Sequence, residues 1–258
     1  MRVGVVRSSF LICLVLLLVL VVSSCSQEEK NSAQSLGPSS FKVIQENEDT
    51  KNVVLVTEDN VTLAARFYRT KDDNSRNIIL LHMLDGKKED WDGFAQFLQK
   101  KNFRVLALDL RGHGQSQGDW KTFTENDFQG MVADVVIAQK YLYNETGTRR
   151  YSLLGASIGA NLIGEYVDEE GTQNIEKVVL LSPGEEYHGL EVADIDIFRR
   201  GVLVVASSED GYSVNATQEL KQEVSPIKTI IYSDVGHGTE MLKNKPELRD
   251  EIATFLLE

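Results

Sequence analysis

One stretch of the sequence has the residue types and spacing of a nucleophilic turn. It is a G-x-S-x-G pattern formed by Gly155, Ser157 and Gly159, and it directly follows an apolar run. If that run is a strand and a helix follows it, Ser157 lies on a turn so sharp that only glycine fits on either side. The serine hydroxyl then projects from the edge of a sheet, and the backbone N–H of Ile158 points at the atom that bonds to it. The pattern therefore predicts a nucleophile and half of an oxyanion hole in one turn.

An exposed serine is a poor nucleophile unless a base and an orienting acid are brought to it. Two later segments carry such groups: Glu209 and Asp210 follow an apolar run at 202–206, and His237 follows another at 229–232. In a parallel sheet these groups belong in loops that leave the C-terminal ends of strands. We expect His237 to act as the general base and Asp210 to orient it, with the adjacent Glu209 as the alternative acid.

The elements that would position these residues alternate between strands and helices. The pattern predicts an opening hairpin and then six buried strands, at 52–58, 61–68, 77–82, 103–109, 151–154, 177–181, 202–206 and 229–232. Helical periodicity lies between them and after the last one, over 91–98, 128–142, 158–166 and from about Asn244 onward. Such alternation predicts an α/β protein with a mostly parallel central sheet of about eight strands and helices on both faces.

The order of Ser157, Asp210 and His237 along the chain resembles that of the α/β-hydrolase superfamily. Besides the nucleophile turn, residues 109–116 (D-L-R-G-H-G-Q-S) are similar to the D-x-R-G-H-G-x-S turn common in its serine hydrolases. Residues 81–86 (L-H-M-L-D-G) are similar to the oxyanion segment at a strand end in that superfamily. The resemblance covers nearly the whole chain from about Val53, and it implies the α/β-hydrolase fold and a catalytic triad.

The same resemblance assigns two further histidines and the second oxyanion donor. That donor would be the backbone N–H of Leu84 or, failing that, of Met83. Met83 stands where the family usually has glycine, so its side chain would narrow the acyl pocket. His82 and His113 match structural positions of the family, the first at a strand end and the second in the turn at 109–114.

The implied activity is hydrolysis through an acyl-enzyme. Only residues 182–201 separate the sixth strand from the acid-bearing strand, where the superfamily often inserts a cap domain. We therefore expect no large cap domain and an open site, resembling those of small carboxylesterases and the dienelactone-hydrolase-like group, with Trp120, Tyr187 and Tyr212 as candidate rim residues. Small or exposed carboxylic esters, thioesters or lactones would fit such a cleft. A serine peptidase or amidase, and a non-catalytic binding lipoprotein on the same scaffold, are the alternatives.

The N-terminal region has the layout of a targeting sequence. Residues 1–24 place two arginines before a charge-free apolar run, which is typical of a signal peptide. The run ends in V-S-S-C, which resembles the lipobox of bacterial lipoproteins and makes Cys25 the expected lipidation site, against the alternative of an ordinary secretory cleavage site. We expect a flexible tether over 25–45, one α/β-hydrolase domain over 46–258, and a lipid-anchored, extracytoplasmic protein of the bacterial cell envelope.

The charge and composition of the chain limit the classes of ligand that it is expected to bind. The formal net charge is -12, and loss of the signal segment with its two arginines would make the chain more acidic still, so nucleic acid is not an expected partner. The four histidines are scattered without an H-E-x-x-H pattern, and the glycines at 112–118 are spaced G-x-G-x-x-x-G, which is wrong for a dinucleotide loop. We expect a monomer without metal or other cofactor, acting on a small acyl molecule.

Overall fold

A computed structural model describes residues 40–192, 201–223 and 227–258 of the chain. Its strands are β1 (Ser40–Glu46), β2 (Thr50–Val56), β3 (Thr62–Tyr68), β4 (Arg76–Leu81), β5 (Phe103–Leu108), β6 (Tyr151–Ala156), β7 (Ile175–Leu181), β8 (Glu186–Tyr187), β9 (Leu190–Glu191), β10 (Val202–Ser207) and β11 (Ile227–Tyr232). Its helices are α1 (Asp92–Lys100), α2 (Glu125–Gln129), α3 (Val132–Thr146), α4 (Ile158–Glu170), α5 (Gly211–Glu223), α6 (Met241–Asn244) and α7 (Glu247–Leu257). The predicted signal peptide, Cys25 and most of the predicted tether lie outside the described residues.

The main sheet has nine strands in the order β1-β2-β3-β5-β4-β6-β7-β10-β11, and β8 pairs only with β9. The strands from β1 to β3 are antiparallel, and β3 runs antiparallel to β5. Every pair from β5 across to β11 is parallel. The predicted mostly parallel α/β sheet is therefore confirmed, with one strand more than the sequence pattern indicated.

The core lies on both faces of this sheet because side chains alternate along each buried strand. In β4, Ile79 and Leu81 pack on the face covered by α2, α3 and α4. Their neighbours Ile78 and Leu80 pack on the opposite face, against α1 and α7. This double burial explains the continuous apolar run that marked β4 in the sequence.

The first strand, β1, shows that the last part of the predicted tether is not flexible. Residues 25–45 were expected to be a flexible tether, but the structure places Ser40–Glu46 in β1, paired antiparallel with β2 so that Phe41 lies opposite Leu55. This strand lies at the edge of the sheet and is mostly exposed, so its sequence lacks the apolar run of a buried strand. Pairing with β2, rather than local pattern, decides its conformation.

Three further differences concern segments between the main strands. The helix expected over 128–142 is two helices, α2 and α3, with Gly130 between them, where a side chain would lie 2.9 Å from the Arg111 guanidinium. The closing helix predicted from about Asn244 onward is α7, which begins directly after Pro246, but a short helix that the pattern did not indicate, α6, precedes it. Residues 182–201, for which the sequence pattern indicated no strand, contain the β8–β9 hairpin.

The chain order reverses at β4, because β5 lies on one side of it and β6 on the other. In open α/β sheets the ligand crevice lies at such a reversal, beyond the C-terminal ends of the strands. The loops that follow β4, β6, β10 and β11 therefore meet at one end of the sheet. Across residues 40–192, 201–223 and 227–258, none of the helices combines the length and the hydropathy that a membrane crossing requires.

Candidate active site

The turn between β6 and α4 holds Ser157 in a strained backbone conformation. Its φ is 52° and its ψ is -120°, a region that residues with a side chain rarely adopt. A Cβ on Gly155 would lie 2.1 Å from the carbonyl oxygen of Gly159, and a Cβ on Gly159 would lie 2.6 Å from the carbonyl oxygen of Leu81. The two glycines therefore allow the turn to close against itself and against the end of β4.

A carboxylate and an imidazole meet in the neighbouring loops. Asp210 follows β10, His237 follows β11, and the Asp210 Oδ2 lies 2.6 Å from the His237 Nδ1. Burial acts to raise the pKa of Asp210, but hydrogen bonds from Ser213 and His237 outweigh it and hold that pKa below its ordinary value. An ionised Asp210 fixes the proton of His237 on Nδ1 and leaves Nε2 with its lone pair free, as a general base requires.

The adjacent Glu209 has different partners. Its two carboxylate oxygens accept hydrogen bonds from the backbone N–H groups of Asp234 and Gly236, each at 2.9 Å. The Ser207 hydroxyl and these amides lower the pKa of Glu209 to about 2. Glu209 therefore shapes the loop that carries His237, whereas Asp210 contacts the imidazole itself.

Two strand-end hydroxyls, which the sequence analysis did not single out, hold the same loop. Ser207 Oγ accepts a hydrogen bond from the Val235 N–H, and Ser182 Oγ accepts one from the Gly238 N–H, both at 3.0 Å. Each serine ends or directly follows a parallel strand, β10 or β7. That position was visible in the sequence, but the partner across the neighbouring loop was not.

The segment after β4 places two backbone amides near the nucleophile turn. β4 and β6 are hydrogen-bonded neighbours with Leu81 opposite Gly155, so residues 83–84 follow directly beside Ser157. Within the described parts of the chain, the amides of Met83, Leu84 and Ile158 donate no hydrogen bond, so Leu84 and Met83 are both available as the second donor beside Ile158. Two such free donors at one turn are what a developing oxyanion needs.

The Met83 side chain, expected to narrow the acyl pocket, packs against the histidine loop. Thr239 Oγ1 lies 3.8 Å from the Met83 Sδ. A Cβ on Gly238 would lie 3.0 Å from the same sulfur, so the two loops approach each other closely at this glycine. Met83 thus connects the loop after β4 to the loop that carries His237.

His82 and His113, the histidines of the other two motifs, make structural contacts within the fold. His82 Nδ1 lies 2.8 Å from the Met83 carbonyl oxygen, and its Nε2 accepts a hydrogen bond from the Leu110 N–H at 3.0 Å. Burial first, and then the proximity of His113, lower the pKa of His82 to about 4. His113 is buried, its Nδ1 lies 2.9 Å from the Arg111 carbonyl oxygen, and its ring stacks on Trp120.

A buried ion pair that the sequence did not reveal fixes the turn at 109–114. The Asp109 carboxylate accepts hydrogen bonds from the Lys88 backbone N–H at 2.6 Å and from the Lys88 Nζ at 2.7 Å. Arg111 is anchored separately, with its Nε 2.8 Å from the Asp134 carboxylate. The described residues include no group of three or more His, Cys, Asp or Glu side chains that could hold a metal ion.

Comparison with known proteins agrees with this architecture. Residues 72–210 match the family described as serine aminopeptidase, S33. The chain is 25% identical over 193 residues to a bifunctional esterase/perhydrolase of Acinetobacter calcoaceticus, covering 74% of this chain and 61% of that protein. It is 28% identical over 138 residues to a non-heme haloperoxidase of Rhodococcus erythropolis, covering 50% of this chain and 48% of that protein. The chain thus spans only about half to three fifths of these curated relatives.

Solved structures show the same fold. An esterase of Pyrococcus furiosus superposes with a TM-score of 0.67 at 20% sequence identity, covering 86% of this chain and 96% of that one. The family match spans more than half of the chain and includes both the turn at Ser157 and the loop at Asp210. The chain therefore has the α/β-hydrolase fold and belongs to the family described as serine aminopeptidase, S33.

Proposed function

We propose that the protein is a serine hydrolase that cleaves ester-type bonds of small or exposed acyl substrates. Ser157 is the nucleophile, His237 the general base and Asp210 the carboxylate that orients it. The observation that carries the proposal is the 2.6 Å contact between Asp210 and His237, at the same end of the sheet as the strained turn at Ser157. Esterases among the relatives and structural neighbours support an ester as the substrate.

In this mechanism, Ser157 Oγ attacks the carbonyl carbon while His237 Nε2 takes its proton. The oxygen of the tetrahedral intermediate accepts hydrogen bonds from the free amide of Ile158 and from that of Leu84 or, failing that, Met83. The intermediate collapses, the carbon–oxygen or carbon–sulfur bond breaks, and the imidazolium protonates the leaving group. Water then attacks the acyl-enzyme by the same route and restores Ser157.

The small size of the β8–β9 hairpin supports the open-site part of the proposal. Among the described residues, this hairpin is the structure that lies between β7 and β10, where a cap domain would be inserted. Each of its two strands has only two residues. A substrate would then reach Ser157 from solvent without a deep tunnel. Carboxylic esters, thioesters and lactones with small or exposed acyl groups suit such a site.

The experiment uses Ser157→Ala with Ser233→Ala, an exposed serine in the loop after β11, as a matched control. With p-nitrophenyl acetate, loss of Ser157 should lower kcat about a million-fold, to background. The control should retain full activity, and a fluorophosphonate should label wild-type protein at Ser157. Undiminished turnover by Ser157→Ala would contradict the proposal.

Hydrolysis of amide or peptide bonds is the second candidate, because the matched family is described as a serine aminopeptidase. Both bond types pass through the same tetrahedral oxyanion, so the triad alone does not choose between them. The kcat/KM values for an aminoacyl p-nitroanilide and for p-nitrophenyl acetate, measured on one preparation, decide the question. A higher value for the anilide would favour the amidase.

We also propose that Cys25 is lipidated and anchors the protein in the bacterial cell envelope, outside the cytoplasm. The support is its place at the end of the apolar run in residues 1–24. Cys25→Ser should move the protein from the sedimented membrane fraction to the supernatant, whereas Cys13→Ser should not. Membrane association that survives Cys25→Ser would contradict lipid anchoring.

A further inference from the structure

The segment after β4 carries a side chain that neither the triad nor the oxyanion hole accounts for. Met83 lies between His82 and Leu84, and its side chain is half-buried against the core on the face of the sheet that α1 and α7 cover. Glycine, the residue usual at this place in the family, has no side chain to pack there. The contacts of the Met83 side chain therefore show what it adds to the site.

The sulfur of Met83 is the hydrogen-bond partner of a buried hydroxyl. Thr239 is 2% exposed, and its Oγ1 lies 3.8 Å from the Met83 Sδ. Within residues 40–192, 201–223 and 227–258, that sulfur is the only partner of the Thr239 hydroxyl. A thioether is a weak acceptor, but a buried hydroxyl without any acceptor is costly. The contact therefore favours one arrangement of the two side chains.

Gly238, which directly follows His237, lies close to the same sulfur. A Cβ built on Gly238 would lie 3.0 Å from the Met83 Sδ and 3.5 Å from the Cβ of Ala156, the last residue of β6. The Gly238 backbone N–H also donates to the Ser182 hydroxyl at 3.0 Å. The backbone directly after the general base is therefore held by the ends of two strands and by the Met83 side chain.

The contact joins two loops that act on the same carbonyl group. Met83 belongs to the segment that supplies the second oxyanion donor, because in the described structure its amide and that of Leu84 both lack an acceptor. The loop with Gly238 and Thr239 carries the general base, His237. A base must stay within hydrogen-bond reach of the proton that it removes. The distance between these two loops therefore bears directly on the rate.

We propose that Met83 is a positioning residue, whose thioether side chain holds the loop that carries His237 at a set distance from the oxyanion segment. This inference rests on the proposed function. Met83 acts through Gly238 and Thr239, the two residues that directly follow the base. Loss of its side chain removes the hydrogen-bond partner of Thr239 and leaves space beside Gly238, so the loop shifts and His237 is less often in reach of Ser157.

The first test compares Met83→Ala with Met83→Leu. A displaced catalytic group is costly, so Met83→Ala should lower kcat for p-nitrophenyl acetate about 10- to 100-fold. The KM should change by less than about threefold, because the contact is made between two loops and not to the substrate. Leucine fills nearly the same volume beside Gly238 although it offers no acceptor, so Met83→Leu should keep kcat within about fivefold of wild type.

The matched control is Ile44→Ala, which also truncates a large apolar side chain but lies exposed on the edge strand β1. It should leave kcat unchanged, and thermal melts of all three variants establish that they are folded. If the Met83 side chain only narrowed the acyl pocket, Met83→Ala would keep the wild-type kcat for the acetate ester and would turn over p-nitrophenyl octanoate faster. That result would overturn the positioning role.

The second test oxidises the sulfur and leaves the sequence unchanged. The thioether attacks hydrogen peroxide, so that a sulfur–oxygen bond forms, the O–O bond breaks and water leaves. Besides Met83, the methionines are Met1, which lies outside the described residues, and Met131 and Met241, which are fully buried. The half-buried Met83 is therefore the accessible target among the described residues.

A sulfoxide oxygen has no space beside Gly238, so peroxide should lower the kcat of wild type by at least about tenfold. Met83→Leu should keep its activity under the same treatment, which also controls for oxidation elsewhere in the chain. Catalase removes excess peroxide before the assay, and mass spectrometry of the peptide measures the sulfoxide. Complete conversion of Met83 with undiminished kcat would contradict the proposal.

Fluorophosphonate labelling separates this proposal from the proposed function. If wild-type Ser157 is labelled and Met83→Ala has the wild-type kcat, the role of Met83 is wrong and the serine hydrolase proposal stands. If wild-type Ser157 is not labelled, both proposals are wrong. A fall in kcat at nearly constant KM in Met83→Ala, together with recovery in Met83→Leu, supports Met83 as a positioning residue.

Discussion

Two neighbouring carboxylates at the end of β10 bind different partners. Asp210 faces the imidazole of His237 at 2.6 Å, whereas Glu209 binds two backbone amides of the loop that carries it. Backbone direction after the strand separates the two side chains, although they are chemically alike and adjacent. The choice between them is thus a matter of geometry and not of residue type.

At the residue scale we predict that Asp210→Asn lowers kcat about a thousand- to ten-thousand-fold, because an amide at that position favours the wrong imidazole tautomer. Glu209→Gln should lower kcat by no more than about tenfold, since it loosens the loop but leaves the acid–base pair intact. Steady-state kinetics with p-nitrophenyl acetate measure both values. The reverse order of effects would assign the orienting role to Glu209.

At the scale of elements, a buried ion pair joins two loops at the functional end of the sheet. Lys88 lies after β4 and Asp109 after β5, and the side chains are 2% and 0% exposed, respectively. Asp109 also accepts a hydrogen bond from the Gln115 N–H at 2.8 Å. Lys88 Nζ also lies 3.0 Å from the Glu89 carboxylate, but removal of the Lys88 charge would leave Asp109 buried without a cation.

We therefore predict that Lys88→Met lowers the free energy of unfolding by about 3–5 kcal/mol. Lys87→Met removes a neighbouring exposed lysine and should change that free energy by less than about 0.5 kcal/mol. Urea titrations monitored by circular dichroism give both values. Equal stability of the two variants would show that the buried pair contributes nothing.

At the scale of the whole molecule, the buried His82 makes the stability of the fold depend on pH. Its pKa falls from 6.5 to about 4, so the folded state binds a proton less readily than the unfolded chain does. The stability it contributes is complete above about pH 6.5 and is lost as the pH falls toward 4. Asp134 acts in the opposite sense, because burial raises its pKa to about 6 even though Arg111 opposes that rise.

We predict that His82→Gln flattens the fall in stability between neutral pH and about pH 4.5. Glutamine offers one donor and one acceptor but does not titrate, and the full shift of His82 corresponds to on the order of 3 kcal/mol. Asp134 is present in both the wild type and the variant, so its contribution to the pH dependence of stability cancels when the two proteins are compared. Urea midpoints at several pH values measure the two slopes, and identical slopes would contradict the role of His82.

The sequence by itself determined the parts of the site that depend on neighbours along the chain. The strained turn at Ser157 is encoded locally, since glycines at 155 and 159 are the residues that allow it. The buried strands were visible because double burial requires apolar runs. The edge strand β1 was not visible, because it is mostly exposed and depends on pairing with β2. The β8–β9 hairpin was not visible either, because its strands are short and depend on pairing with each other.

Only the tertiary structure decided which distant groups meet. Asp210 rather than Glu209 contacts His237, and Lys88 pairs with the buried Asp109. The physical reason is that these contacts connect loops from different strands. Their distances depend on strand order and on the directions in which the loops leave the sheet, which a local pattern of residues does not encode.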